Sequence, residues 1–227
     1  MTNSIATGAF LLALAGWPCA IAWTQDNPAV INIADAPIPI RVLAQSPAVA
    51  DTYLQVVCLF RSSPVNKLQG ALAEINDKLT GLLDRVRSPQ LFRGELGETV
   101  LLTPPKNSIG AKKLLLVGLG DSQTFSPQRM QLVGEIVYTE ASRLGVRNPF
   151  FAPTVLDGGV SRFTTGQVSE QVIAGFLHAA ETEKLVSKAN ASTSDGIGSL
   201  TYLAGQPHAE ETRAGIEKAI AASRKPR

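Results

Sequence analysis

The sequence predicts an α/β fold in which helices pack on both faces of one mixed sheet. Three observations carry this. From Ile38 onward, short apolar runs alternate with longer helical patterns in the order β-β-α-β-β-α-β-α-β-α. Leu114-Leu115-Leu116-Val117 has no polar alternation, the mark of a strand covered on both faces. The loop from Pro104 to Gly110 is too short for a crossover helix, so the strands on either side of it are antiparallel and the sheet is mixed.

Each element has a local reason. Ile40 to Leu43 and Leu54 to Phe60 read as strands separated by a turn around Ser46-Pro47. Ser63-Pro64 opens a helix, with serine as its cap and proline in its first turn. Leu68, Leu72, Ile75, Leu79, Leu82 and Val86 step by three and four along its buried stripe, and Ser88-Pro89 ends it. Glu74, Asp77, Lys78, Asp84 and Arg85 form its wet face, with Glu74 and Lys78 spaced for an i,i+4 pair. Thr99 to Thr103 and Lys113 to Leu119 are the next strands, the second of them central. Ser126-Pro127 starts a second helix by the same capping logic. Met130, Val133, Val137, Ala141 and Leu144 line its buried side, and Gly145 closes it. Phe150 to Leu156 reads as a strand and Gln167 to about Glu183 as a helix with Val168, Val172, Phe176 and Ala180 inward. Leu200 to Ala204 is the last strand and Glu210 to Ala222 the last helix. These elements make one domain over 38–222, followed by a basic tail at 223–227, with no internal repeat.

Composition suits that domain: of 227 residues, 44% are apolar, 18% charged and 6% aromatic. The net charge is +2, and Arg224, Lys225 and Arg227 crowd the end, so the body is nearly neutral and no nucleic-acid partner is expected. Two Cys and two His leave little material for a zinc site, and no cofactor is expected.

The first 22 residues contain no Asp, Glu, Lys or Arg. Ala9 to Ala15 is an unbroken apolar run, Gly16 and Pro18 interrupt it, and Ala20-Ile21-Ala22 supplies small side chains at x-spacing. This predicts a secretory signal at 1–22, cleaved after Ala22, and hence a periplasmic or secreted protein. The run is shorter than the ~20 residues that span a bilayer, so no membrane attachment is expected after cleavage. Gly16-Trp17-Pro18 is a poor lipobox for Cys19. Residues 23–37 read as a polar tether. Cys58, left alone by cleavage, sits in a strand run as a small core hydrophobe.

Two turns offer candidate ligand contacts. Gly118-Leu119-Gly120-Asp121 follows the most buried strand and precedes a helix, a place that presents N–H groups to a phosphate. It lacks the third glycine of a dinucleotide fingerprint and any Gly-Lys-Ser/Thr loop, and a tight turn explains it equally well. Asp157-Gly158-Gly159-Val160-Ser161-Arg162 lies at a strand end, where ligands collect in open α/β sheets. Arg162 there could fork onto an anion; a solvated loop is the plainer reading. The candidate binding residues are therefore Gly118, Gly120, Asp121, Asp157, Gly158, Gly159 and Arg162. No catalytic or metal-ligating residue is assigned. His178 and His208 stand apart, no His-Glu-x-x-His or Gly-x-Ser-x-Gly occurs, and Glu210 and Glu211 suit a helix dipole.

Leu54 to Phe60, the Leu68 to Val86 stripe, Gly97-Glu98-Thr99-Val100-Leu101-Leu102 and above all Ala111-Lys112-Lys113-Leu114-Leu115-Leu116-Val117-Gly118-Leu119-Gly120 carry a resemblance. Ser126 to Val146 and Val172 to Glu183 continue it. The chain resembles the amino-terminal domain of the cytosol-type, two-metal leucine aminopeptidases over about 38–222. The resemblance implies a macrodomain-like three-layer α/β/α fold, in agreement with the element order. In that family the metal ligands and catalytic residues lie in a following domain, whose Asn-Thr-Asp-Ala-Glu-Gly-Arg signature is absent here, so no catalytic residue carries over.

The expectation is an exported, non-catalytic binding or interaction domain whose partner is a protein or a small ligand. A regulatory or assembly subunit of a separately encoded metallo-aminopeptidase is one alternative. A macrodomain-like binder of a nucleotide or ADP-ribose at the two turns is another, against which export counts. A deep cleft at the carboxyl ends of the strands favours a ligand, and a flat apolar patch favours a protein partner.

Overall fold

The computed structural model describes residues 28–63, 67–88, 90–189 and 196–224. The expected signal segment, Cys19, Pro64, Pro89 and the last three residues lie outside them. Seven strands form one sheet: β1 (Val30–Ile33), β2 (Ile40–Ala44), β3 (Thr52–Leu59), β4 (Thr99–Leu102), β5 (Ala111–Gly118), β6 (Phe150–Ala152) and β7 (Leu200–Ala204). Their order across the sheet is β1-β2-β7-β6-β3-β5-β4. The five inner strands are parallel, and the edges β1 and β4 run antiparallel to their neighbours. Among the described residues five α-helices join the sheet: α1 (Gly70–Lys78), α2 (Leu82–Val86), α3 (Met130–Arg143), α4 (Thr165–Lys188) and α5 (Ala209–Ser223).

Side chains alternate across each strand, and the two halves of the core follow that alternation. Leu54, Val56, Cys58 and Phe60, with Leu115 and Val117, face α3, α4 and α5. Val57 and Leu59, with Leu114 and Leu116, face α1 and α2. The three-layer α/β/α arrangement with a mixed sheet is the expected one. Cys58 is buried, as read from the sequence, and burial pushes its thiol well above the usual range.

Several elements depart from expectation. The stretch read as a tether over 23–37 supplies an edge strand, β1, paired from Val30↔Leu43 to Ile33↔Ile40, so the folded domain begins before residue 38. Its apolar alternation is short and flanked by Asp and Pro, which hides it. The helix expected from Ser63-Pro64 to Val86 starts at Gly70 and is broken between α1 and α2, where Thr80 and Gly81 take φ of 52° and 76°. That left-handed step turns the second segment, so Leu83 rather than Leu82 is fully buried. The buried Asn76 staples the break: its Nδ2 donates to Asp84 Oδ2 at 2.8 Å and its Oδ1 accepts the Asp84 N–H at 3.2 Å. Lys78 meets Glu74 at 3.2 Å, as their spacing predicts. The Leu114–Val117 strand is buried on both faces but lies one place in from the edge rather than at the centre. A 3₁₀ turn over Pro127–Arg129 precedes α3, and Ser126 makes no side-chain cap. Leu144 falls beyond the last turn of α3 and is exposed, while Gly145 ends that helix at φ 66°. The strand expected over Phe150 to Leu156 stops at Ala152.

Glycines let the three helices of the first layer meet backbone to backbone. A Cβ on Gly134 of α3 would collide with the Val172 carbonyl of α4, and one on Gly175 of α4 with the Gln131 carbonyl of α3. A Cβ on Gly215 of α5 would collide with the Gly166 carbonyl of α4. Among the described residues no helix is long and apolar enough to cross a membrane.

Two effects compete at Gly175. Alanine gains up to about 1 kcal/mol of helix propensity over glycine. Forcing α3 and α4 apart costs about 1–3 kcal/mol or more. Gly175→Ala should therefore lower stability by about 1–2 kcal/mol, read as a shift of the urea midpoint at unchanged m-value.

Candidate functional site

A cleft of about 620 Å³ opens at the carboxyl ends of β2, β6 and β7. Ala44, Ala152, Leu203 and Ala204 mark those strand ends, and Ser46 and Pro47 form one wall. Ala71 and Glu74 come from the first turns of α1, and Thr154 to Asp157 from the loop after β6. Phe163 to Thr165 and Val168 open α4, and Gly205, Gln206 and His208 lead into α5.

Thr154 explains where β6 ends. Its φ of 48° puts a β-branched residue in the left-handed region, which costs of order 1–3 kcal/mol. Two hydrogen bonds hold it there: its Oγ1 accepts the Cys58 N–H at 2.9 Å and donates to the Cys58 carbonyl at 2.7 Å. One hydroxyl thus stands in for the next rung of the β3–β6 ladder, and the chain is freed to turn along the cleft.

Asp157 closes the amino end of α1 from the far side of the sequence. Its carbonyl accepts the Gln69 N–H at 2.9 Å and its Oδ1 accepts the Ala71 N–H at 3.3 Å. Gly70 sits between them at φ +48°, where a Cβ would strike Asp157 Oδ1. Gln69 itself makes no side-chain cap. Burial pushes the Asp157 carboxyl above the usual range, against the opposing pull of the Ala71 N–H and of His208.

The amino end of α4 is closed as well. Thr164 Oγ1 accepts the Gln167 N–H at 3.1 Å, and Gln167 Oε1 accepts the Thr164 N–H at 3.0 Å, a reciprocal capping box. Glu211 Oε2 accepts from the Thr165 N–H at 3.1 Å and from its hydroxyl at 2.5 Å. The Thr165 hydroxyl, first among its partners, holds the Glu211 carboxyl below the usual range. Among the described residues the charged ones lining the cleft are Glu74 and Asp157, with His208 beside them, and no Lys or Arg lines it. Glu74 accepts the Ser46 hydroxyl at 2.9 Å. Such a concave, mostly apolar space with a few converging polar groups can hold a small molecule.

Of the seven candidate binding residues, Asp157 lines this cleft and the other six do not, whereas His208, assigned no role in the sequence, does line it. Gly118 is packed so closely that a Cβ would meet the Glu95 carbonyl. The N–H groups of Gly118, Leu119 and Gly120 donate to Glu98, Leu59 and Gly94 at 2.8, 2.9 and 2.8 Å, so that turn directs them inward. Asp121 is exposed and its Oδ1 accepts the Gln123 N–H at 2.8 Å. Gly158 leaves room for the Phe60 ring, and Gly159 donates its N–H to Leu156. Arg162 donates to the carbonyls of Ser122, Gln123 and Phe125 at 2.9, 3.3 and 2.9 Å and lies 5.0 Å over the Phe163 ring. Arg162 therefore ties the second turn to the loop that follows the first, beside the cleft. His178 lies elsewhere, on the outer side of α4, bonded to Glu135 of α3 at 2.9 Å. Among the described residues no three His, Cys, Asp or Glu side chains gather as metal ligands would. Thr154, Thr165 and Gly70 gave no sequence signal, because each acts through a partner distant in the chain.

Comparison with known proteins places this geometry. The profile of the cytosol aminopeptidase family, N-terminal domain, matches residues 56–182. A neutral, chloroplastic leucine aminopeptidase of Solanum lycopersicum is 32% identical over 105 residues, covering 43% of this chain and 18% of that protein. The chain thus spans under a fifth of that relative's length. A solved mutant of tomato leucine aminopeptidase superposes with a TM-score of 0.56 at 22% identity, over 86% of this chain and 38% of that one. An Oceanobacillus iheyensis macrodomain mutant superposes with a TM-score of 0.60 at 8% identity, over 86% of this chain and 99% of that one. The macrodomain of that organism solved with ADP gives 0.53 at 10% identity, over 86% and 96%. At such identities the structures share the macrodomain-like fold.

Two outcomes follow from the site geometry. Thr154→Val keeps shape but strands the Cys58 N–H and carbonyl, and should cost about 2–4 kcal/mol in chemical denaturation, from about 1–3 kcal/mol per buried group left unpaired. Asp157→Asn keeps the acceptor for Ala71 and removes the buried charge. Because the folded carboxyl titrates above the unfolded one, its ionisation weakens the wild type as pH rises through that interval. The variant should be the more stable at pH 7, with the advantage shrinking as pH falls towards the ordinary carboxylate range, in paired thermal melts.

Proposed function

The chain belongs to the cytosol aminopeptidase family through its amino-terminal domain, and from that membership we propose that it is an exported, non-catalytic domain that binds a small ligand. The cleft at the carboxyl ends of β2, β6 and β7 is the observation that carries this reading. It is a concave site at the end of a parallel sheet, where open α/β folds hold ligands. The ADP-bound macrodomain supports a small molecule as the kind of partner, since it shares this fold. The uncharged 1–22 segment ending in Ala20-Ile21-Ala22 supports export, with the mature chain beginning at Trp23.

A second reading has its own support. The curated relative is much longer than this chain, and a partner role beside an aminopeptidase catalytic chain suits a domain of this family. The nucleotide reading at Gly118 to Asp121 and Asp157 to Arg162 is less well supported, since the first turn uses its N–H groups internally and Arg162 is committed to three carbonyls.

Gln206 is exposed on the cleft wall, outside the core. Gln206→Trp should leave the fold intact and weaken ligands found by a fragment screen about tenfold, as loss of about 1.4 kcal/mol would. Amide shifts that ignore the cleft, or undiminished binding by the variant, would count against the site. Sequencing of protein purified from the native organism should read Trp23 first.

A further inference from the structure

The charge of the cleft says what kind of ligand it takes, an inference that rests on the cleft being the ligand site. A phosphate-bearing ligand is normally met by free helix amino ends, by Lys or by Arg. Here the amino ends of α1 and α4 at the cleft are already filled by the protein's own groups, while that of α5, led in by Gly205 to His208, has no side-chain cap and carries Glu210 and Glu211 in its first turn. Asp157 occupies that of α1, and Thr164, Gln167 and Glu211 that of α4. Among the described residues no Lys or Arg lines the space, and its carboxylates are Glu74 and Asp157. Glu74 has Lys78 behind it at 3.2 Å. Asp157 has no Lys or Arg in an ion pair among the described residues, although His208 pulls on its carboxyl from the same cleft: its Oδ1 takes the Ala71 N–H, while Oδ2 has no hydrogen-bond partner among the described residues. An ionised carboxylate has room for about four hydrogen bonds, so this one keeps most of its acceptor capacity.

We infer that the cleft takes a ligand carrying an ammonium group on an apolar body, the ammonium at Asp157 Oδ2 and the body against Phe163 and Val168. The same Asp157 that caps α1 thus has one oxygen for the fold and one for the ligand. Burial pushes its carboxyl upward despite the Ala71 N–H and His208, so a bound ammonium would stabilise its charged form. A diphosphate would instead enter a space with two carboxylates and, among the described residues, no Lys or Arg.

The test uses four probes of graded charge with the whole mature chain at pH 7, followed by amide chemical shifts. Phenethylammonium and 2-phenylethanol share one body and differ in the charged head; 3-phenylpropionate and ADP supply the anions. Phenethylammonium should shift the Ala71, Asp157 and Thr165 amides and bind about fivefold or more tightly than 2-phenylethanol, with the anions weakest. Asp157→Asn should bring phenethylammonium down to the level of 2-phenylethanol and leave the alcohol unchanged, which separates loss of charge from loss of fold. Equal binding of amine and alcohol, or tighter binding of 3-phenylpropionate or ADP, overturns the charge assignment while leaving the cleft in place. If none of the four moves those amides, the cleft reading falls and this inference with it.

Discussion

Backbone contact between helices, made possible by four glycines, sets the geometry on which the rest of this molecule depends. α4 lies between α3 and α5 and touches each where a side chain would intrude: Gly175 with Gly134 on one side, Gly166 with Gly215 on the other. Helices that approach this closely have little freedom to slide, because their carbonyls, rather than flexible side chains, form the contact. Val168, Val172, Phe176 and Ala180 then press α4 onto the sheet. Gly166 is the second residue of α4, so its contact with α5 also fixes the first turn of that helix, beside Thr165 and Glu211. The packing of the helical layer and the rim of the cleft are consequently one constraint seen at two ends.

The parts of this architecture that were legible in the sequence are those written in local pattern. Leu114 to Val117 is a continuous apolar run, and Leu200 to Ala204 one broken only by Thr201, because parallel strands are covered twice, and α3 and α4 show clean three-four spacing. Gly145 announces the end of α3 for a local reason, its positive φ. What escaped was set by tertiary contact. β1 is a strand because β2 lies beside it, not because its own residues insist on it. The break between α1 and α2 looks like a continuous stripe in one dimension, since a left-handed step at Thr80 and Gly81 shifts the buried position by one residue and leaves leucines on either side to fill either register.

The candidate site was legible to a smaller degree, and for a related reason. Glycine-rich turns at strand ends drew attention to two loops, and the loops are neighbours in space, yet their glycines answer to packing: Gly118 to the Glu95 carbonyl and Gly158 to the Phe60 ring. A glycine needed for close backbone approach and one needed for a ligand look identical in a single sequence. Asp157 stood out only as part of a turn, whereas its contact with α1 spans 86 positions. Thr154, which ends β6 and starts the cleft, spans 96 positions to Cys58. Such residues carry no signal until the sheet has brought their partners beside them.

These long-range bonds give the cleft a character that the fold alone does not dictate. The same layered scaffold can present bare helix amino ends to an anion or can satisfy them with its own side chains, and the choice rests on a few residues. In this chain Asp157 and Glu211 have taken the second course, and Gly70 yields the space that lets Asp157 do so. A group committed to a helix cap is held rigidly, so whatever meets its free oxygen finds a fixed direction as well as a charge. Stability and recognition therefore draw on the same carboxylate: the packing that orients α1 also aims the polar group of the site, and neither can be altered there without the other responding.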